Sequence, residues 1–111
     1  MAPGSDLWPV AWAADDNLYT PWGDGGGFGG TGSVGRVTLG VGKVSGPATG
    51  FTGTNVFGGA NAEAPATFDG KANGILSVGG VLYMWVTQQS AWIRAKIGKS
   101  TDGGHTWVFN S

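Results

Sequence analysis

The sequence predicts an all-β fold built from short antiparallel strands and tight turns. Glycine supplies 23 of the 111 residues, about three times its average share in proteins, and six tryptophans accompany it. The apolar runs have the length of strands, and turn-forming glycines separate them. No segment shows the period of an amphipathic helix. We therefore predict a single unit over residues 1–111 that contains two antiparallel sheets and no helix.

The first predicted sheet lies within residues 6–57. An apolar run (WPVAWA) and its return strand (LYTPW) flank a turn at Asp15-Asp16-Asn17. The glycine-rich stretch 23–32 cannot hold a regular ladder, so we predict a loop there that brings backbone close to a ligand. The strands of this sheet are predicted at 8–13, 18–22, 33–41 and, as an irregular outer strand, within 46–57.

The second predicted sheet lies within residues 73–110, after a connecting loop at 61–70. Gly79-Gly80 predicts a two-residue hairpin turn between two apolar runs. An alternating segment and a short terminal strand complete the sheet. Its strands are predicted at 74–78, 81–87, 91–98 and 107–110.

The two predicted sheets share a weak internal repeat. Leu18-Tyr19 and Leu82-Tyr83 occupy equivalent places in two hairpins, and Trp22 and Trp85 follow them closely. A four-stranded unit of about 50 residues has the size of a β-propeller blade. We therefore predict two blades, at residues 6–57 and 73–110.

Residues 100–107 (STDGGHTW) carry the most informative motif. The Asp102 side chain can bond backbone N–H groups further on, Gly103 and Gly104 can adopt positive φ, and the Trp107 ring can be buried as the next strand begins. The motif resembles the Asp-box of sialidases and related β-propellers. The resemblance implies a structural turn between the two outer strands of a blade, away from the substrate. The structural Asp-box residues are Ser100, Asp102, Gly104, Thr106 and Trp107.

Two blades do not close a propeller. A ring typically has about 4–8 blades, and two blades leave two apolar faces uncovered. We therefore expect either a fragment of a longer protein or a homo-oligomer. A ring of three copies with six blades is the favoured assembly.

Two carboxylates are the candidate catalytic residues. A hairpin that runs from Asp6, turns at residues 15–17 and returns to Asp24 brings Asp6 and Asp24 together at its open end. A pair of carboxylates can divide the acid and base roles in the hydrolysis of a glycosidic bond. Both residues also have a purely structural interpretation, because Asp6 can close a turn and Asp24 can cap the glycine-rich loop.

A second resemblance supports the hydrolase interpretation. Residues 4–25, the run from Lys71 to Trp85 and the terminal Asp-box are together similar to a bacterial and phage propeller family. The family was long catalogued as a domain of unknown function and includes endo-D-arabinanases with five-bladed propellers. The resemblance implies that Asp6 and Asp24 match the family's acidic pair. It also implies that the chain corresponds to the first third of those domains.

Four further residues are candidates for substrate binding. Trp12 and Trp22 can stack on a sugar or fill the space between blades. Lys71 and Arg94 can bind an anionic or hydroxylated ligand or lie on a solvated surface. His105, the one histidine, occupies a variable position of the Asp-box and is a poor candidate for a general base.

Composition excludes several classes of function. The formal net charge is −1, so no basic surface indicates nucleic acid or an anionic membrane. The chain has no cysteine, so a disulfide or thiolate site is excluded. No apolar run is long enough to span a membrane, and no metal-ligand spacing is evident. Residues 1–5 lack the features of a signal peptide. The sequence therefore does not predict a cellular location, and secretion of a parent protein stays an alternative.

Three functions follow as hypotheses. The first is a glycoside hydrolase, or a remnant of one, that needs no cofactor and acts through Asp6 and Asp24. The second is a non-catalytic carbohydrate-binding or structural propeller assembly. The third is a promiscuous ester hydrolase in which a ring of carboxylates holds Ca²⁺ in a central channel.

Overall fold

The computed structural model describes residues 1–88 and 94–110, which form two four-stranded antiparallel sheets. In each sheet the strands follow one another in chain order. The strands are β1 (Ala11–Trp12), β2 (Leu18–Gly23), β3 (Leu39–Ser45), β4 (Thr52–Phe57), β5 (Lys71–Val78), β6 (Val81–Thr87), β7 (Ala95–Ser100) and β8 (Val108–Phe109). The predicted all-β class and the two antiparallel sheets are confirmed.

The first sheet is less regular than predicted: β1 covers only Ala11–Trp12 of the predicted 8–13, β4 covers only Thr52–Phe57 of the predicted 46–57, and the third strand differs as well. Residues 33–38 form turns, and β3 begins only at Leu39. The Thr31 hydroxyl accepts hydrogen bonds from the backbone N–H groups of Ser33 and Val34, and Gly35 has a φ of 72°. These local bonds compete successfully with a ladder, although the side chains alternate in polarity.

The second sheet follows its predicted hairpin closely. Gly79 and Gly80 have φ values of 56° and 80°, as a type I′ turn requires. The first strand is longer than predicted and begins at Lys71, with a register shift between Ala72 and Gly74. Of the strand predicted at 91–98, residues 91–93 lie outside the described residues, and β7 continues to Ser100.

One hydrophobic core lies between the two sheets. The first sheet contributes Tyr19, Leu39, Val41, Val56 and Phe57. The second sheet contributes Ala72, Leu82, Met84, Val86 and Trp107. The first strands of the two sheets, β1 and β5, contact each other, so the sheets stack with their inner edges together.

The stacked sheets have two distinct ends. At one end β2 finishes next to the start of β3, and β5 begins. We call this the carboxylate end, because Asp6 and Asp24 lie there. At the other end, the turn at residues 100–107 begins at the last residue of β7, and its Gly103 lies near the Tyr19 hydroxyl. The candidate catalytic residues and the 100–107 turn are therefore at opposite ends of the strands.

Both outer faces of the stack expose apolar side chains. On the β1–β4 outer face, Trp12 and Val10 are 68% and 55% exposed and line an open cleft of about 870 Å³. On the β5–β8 outer face, Trp85 and Val108 are 47% and 72% exposed. Within the described residues, no helix is long and apolar enough to cross a membrane.

Candidate functional site

Asp6 is fixed at the carboxylate end by a backbone bridge to β2. Its N–H donates to the Gly23 carbonyl at 2.9 Å, and the Gly23 N–H donates to the Asp6 carbonyl at 2.7 Å. Asp6 therefore lies opposite the residue that precedes Asp24. The exposed Asp6 side chain and the Asp24 side chain occupy the same open end of the first hairpin, as the sequence predicts.

Asp24 is held by both backbone and side-chain contacts. Its N–H donates to the Thr38 carbonyl at 3.1 Å, and its φ of 50° lies in the left-handed region that aspartate tolerates better than most residues. The Asp24 carboxylate lies 2.7 Å from the Lys71 ammonium and 3.5 Å from the Arg36 guanidinium. A carboxylate is thus surrounded by two cations at the edge of the glycine-rich loop.

Lys71 connects the two sheets at this site. It is the first residue of β5, and its ammonium also donates to the Thr38 carbonyl at 2.9 Å. Gly23 allows the side chains of Asp6 and Lys71 to approach, because a Cβ at Gly23 would lie 2.9 Å from Asp6 Oδ1 and 3.2 Å from Lys71 Cδ. Asp6, Asp24 and Lys71 therefore meet around one glycine.

Arg94 belongs to the same end of the second sheet. It precedes β7, whose first residue, Ala95, pairs with Thr87, and Thr87 pairs on its other side with Lys71. The Arg94 side chain is exposed. The structure therefore places the predicted Lys71 and Arg94 at the end that carries Asp6 and Asp24, on the neighbouring sheet.

Neither of the two predicted sugar-stacking tryptophans offers a ring face at the carboxylate end. Trp22 is completely buried; its ring stacks on Trp8 at 5.5 Å, and its indole N–H donates to the Gly25 carbonyl. It supports the loop from within and presents no free ring face. Trp12 is exposed, but it pairs with Leu18 while Asp6 pairs with Gly23. The strand spacing puts roughly 17 Å between these positions.

The glycine-rich loop is anchored by a residue that the sequence reasoning missed. Asn55 on β4 is 3% exposed. Its side chain accepts from the Phe28 N–H at 2.9 Å and donates to the carbonyls of Phe28 and Ala60 at 2.9 and 2.7 Å. The signal available in the sequence for this role was a polar residue in a strand that otherwise packs in the core. These hydrogen bonds hold the loop in one conformation, and the loop in turn supports Asp24.

Arg36 and Thr38 were also missed. Both lie in the segment predicted as a regular strand, and nothing in its alternation assigned either residue to the site. The turns at 33–38 instead bring the Arg36 guanidinium and the Thr38 carbonyl to the site.

The 100–107 turn has the hydrogen bonds that its residues predict. Asp102 accepts from the Thr106 N–H at 2.9 Å, from the Thr106 hydroxyl at 2.5 Å and from the Ser100 hydroxyl at 2.8 Å. Desolvation raises the pKa of Asp102, but these hydrogen bonds outweigh it and lower the pKa to about 2. Gly103 and Gly104 have φ values of 72° and 88°, and Trp107 is only 8% exposed.

His105 ties the 100–107 turn to the loop after β4. One ring nitrogen contacts the Glu63 carboxylate, and Nδ1 lies 2.7 Å from the Asp102 carbonyl. The hydrogen bond to Glu63 and the bond to the Asp102 carbonyl raise the pKa of His105 against a smaller effect of burial. His105 acts as a clamp at this end of the strands, remote from the candidate catalytic residues.

No metal-binding group is evident in the described residues, where no three His, Cys, Asp or Glu side chains cluster as ligands would. No protein-family model, curated protein or solved structure matches the chain.

Proposed function

We propose that the chain is a pair of β-propeller blades from a glycoside hydrolase, with its active site at the carboxylate end. The observation that carries the proposal is the bridge between Asp6 and Gly23 together with the ion pair between Asp24 and Lys71. These contacts hold two carboxylates and a cation at the ends of strands from both sheets. The resemblance of residues 4–25 to the endo-D-arabinanase family gives this arrangement its proposed substrate class, a furanose polysaccharide.

The two carboxylates have different surroundings. Asp24 contacts Lys71 and Arg36, whereas the Asp6 side chain is exposed. We propose that the two divide the acid and base or nucleophile roles of glycoside hydrolysis between them. Lys71 and Arg94 are the proposed contacts for substrate hydroxyl groups.

The proposed active site is completed by assembly. Three copies with two blades each would give a six-bladed ring, within the usual range for propellers. The inner strands β1 and β5 contact each other within one chain, so a ring would bring the carboxylate ends of all copies around one axis. A substrate pocket lined by several copies follows from this arrangement.

Hydrolysis of chromogenic glycosides and esters, with and without a chelator, tests the proposed function. We expect glycoside turnover by the parent chain, and a loss of at least about 100-fold in Asp6→Asn and Asp24→Asn, since acid–base catalysis typically contributes that much. Asp16→Asn is the matched control, because Asp16 lies at the opposite end of the hairpin and has a φ of 64° that asparagine also tolerates. Equal rates in all four proteins would contradict the assignment, and loss on chelation would favour the metal-assisted esterase.

Carbohydrate binding without turnover is the second candidate. It is favoured by the contacts of Asp24, whose charge is already matched by Lys71 and Arg36. Such a cluster can bind sugar hydroxyl groups without reacting. Calorimetric titration with oligosaccharides would then show binding that Lys71→Met weakens, while no protein in the hydrolysis series turns substrate over.

A further inference from the structure

The strand pairing extends the internal repeat beyond the Leu-Tyr hairpins. Tyr19 pairs with Lys43 in the first sheet, just as Tyr83 pairs with Lys99 in the second. The third strand of each sheet therefore carries the same short pattern in the same register. The corresponding tripeptides are Val41-Gly42-Lys43 and Ile97-Gly98-Lys99.

Equivalent residues of the two sheets face different surroundings. Tyr19 is buried in the core between the sheets, whereas Tyr83 lies on the β5–β8 outer face beside Lys99. Leu82 is buried in the core, whereas Leu18 lines the cleft on the β1–β4 outer face. The β5–β8 outer face thus corresponds to the covered face of the first sheet, and the β1–β4 outer face corresponds to the covered face of the second.

We propose that the β5–β8 outer face of one copy packs on the β1–β4 outer face of the next copy, around the cleft that Val10, Trp12 and Leu18 line, in the orientation of the contact between the two sheets within one chain. The partner is a second copy of this chain, bound head to tail. This inference rests on the assembly part of the proposed function and goes beyond it by naming the two faces that meet. Such a heterologous contact forms a ring when its rotation closes.

The side chains on the two outer faces support this contact. The β1–β4 outer face exposes Val10 and Trp12, and the β5–β8 outer face exposes Trp85 and Val108. Interfaces favour aromatic and aliphatic side chains of this kind at their centres.

The contact within the chain also supplies a specific expectation. In the core, a Cβ placed on Gly104 would lie 3.6 Å from both Leu82 Cδ1 and Val41 Cγ1, so these two side chains border the same small space. Their equivalents in the repeat are Leu18 and Ile97. We therefore expect Leu18 of one copy to lie near Ile97 of the next.

Two single variants and their mixture test the proposed contact. Trp85→Arg places a charge on the β5–β8 outer face, and Val10→Arg places one on the β1–β4 outer face. Light scattering should give the parent a mass about three times 11.2 kDa, and each variant the mass of a monomer. The equimolar mixture should form a heterodimer of about twice the monomer mass, because each variant retains the face that the other has lost.

The control and the contradicting results are equally specific. Val34→Arg adds the same charge to an exposed loop residue outside both faces, and it should assemble like the parent. Circular dichroism establishes that each variant is folded, and Val108→Arg replaces Trp85→Arg if the latter is not. A monomeric parent, a folded variant that keeps the parent mass, or a mixture that stays monomeric would overturn the proposal.

A cross-linking measurement supplies an independent result. The chain has no cysteine, so the double variant Leu18→Cys, Ile97→Cys should give covalent multimers with a short bis-maleimide. Neither single variant should be linked across the contact, because each has a thiol on only one of the two faces that meet. Failure to link copies of a double variant that still assembles would overturn the proposed faces. Asp24→Asn separates the two proposals. Loss of its glycoside turnover with assembly intact concerns the proposed function alone, and loss of its assembly with turnover intact concerns the proposed contact alone.

Discussion

The Lys71 ammonium lies 2.7 Å from the Asp24 carboxylate, so the first residue of β5 supplies the counter-ion for the residue that follows β2. The Lys71 side chain is 14% exposed and that of Asp24 is 35% exposed. The pair therefore has a structural role, which is to join the two sheets, besides the proposed role in catalysis.

Breaking this pair should destabilise the fold measurably. We expect Lys71→Met to lower the free energy of unfolding by about 1–2 kcal/mol, since it leaves a partly buried carboxylate without its partner. In a double-mutant cycle with Asp24→Asn, the coupling should be about 1 kcal/mol. Arg36→Gln should cost less than about 0.5 kcal/mol, because Arg36 is 50% exposed and 3.5 Å away. Urea denaturation measures all three, and strictly additive effects would refute the coupling.

Packing around Trp22 predicts opposite responses of two strand glycines to the same substitution. A Cβ on Gly40 would overlap the Trp22 ring, whereas a Cβ on Gly74 would meet nothing within 4 Å. Gly40→Ala should therefore cost about 2–3 kcal/mol through overpacking and lower Tm by about 10 °C or more. Gly74→Ala should be neutral or slightly stabilising. Calorimetry at one fixed protein concentration measures both, and similar Tm values would contradict the packing account.

Asp102 in the 100–107 turn should stabilise the fold in a pH-dependent way. The pKa of Asp102 is lowered to about 2 in the folded protein, below its usual value near 4. Its stabilisation is therefore present above about pH 4 and is lost as the pH falls towards 2. We expect a contribution of about 1 kcal/mol after allowance for solvent screening, and a larger loss, about 2–3 kcal/mol, in Asp102→Ala. An Asp102→Ala variant whose stability falls as steeply in acid as the parent's would refute this role.

The clamp between His105 and Glu63 should respond to pH in the opposite direction. Because the pKa of His105 is raised in the folded state, its stabilisation is fully present below about pH 6.5 and is lost as the pH rises through the folded pKa. The effect should stay below about 1 kcal/mol, since both side chains are partly exposed. Proton NMR of the single histidine measures its pKa directly. Glu63→Gln should lower that pKa, and an unchanged titration would contradict the clamp.

The regular parts of the fold could be predicted from local sequence signals. Gly79-Gly80 specifies a type I′ turn whatever surrounds it, and residues 100–107 specify their turn through bonds among neighbours. The segment 33–38 could not be predicted in the same way, because its alternation favours a strand while the Thr31 hydroxyl and Gly35 favour turns. Packing decides between the strand and the turns in this segment, and the periodicity of the sequence carries no information about packing.

The candidate site was predictable only in part. Hairpin geometry is enough to place Asp6 and Asp24 at one end, because the turn at residues 15–17 sets the direction of both strands. The contact between Lys71 and Asp24 joins residues of different sheets, so it depends on how the sheets stack. Trp22 was predicted to stack on a sugar because its indole precedes the glycine-rich loop. The ring instead fills the space over Gly40, which depends on packing and not on position in the sequence.

The release of reducing ends from a D-arabinan polymer tests the central claim most directly. The assembled parent protein and Asp16→Asn should cleave the polymer at similar, modest rates, and Asp24→Asn should be at least about 100-fold slower while keeping the parent mass in solution. The site assignment would be contradicted if Asp24→Asn, folded and assembled, released reducing ends as fast as the parent, or if the assembled parent released none.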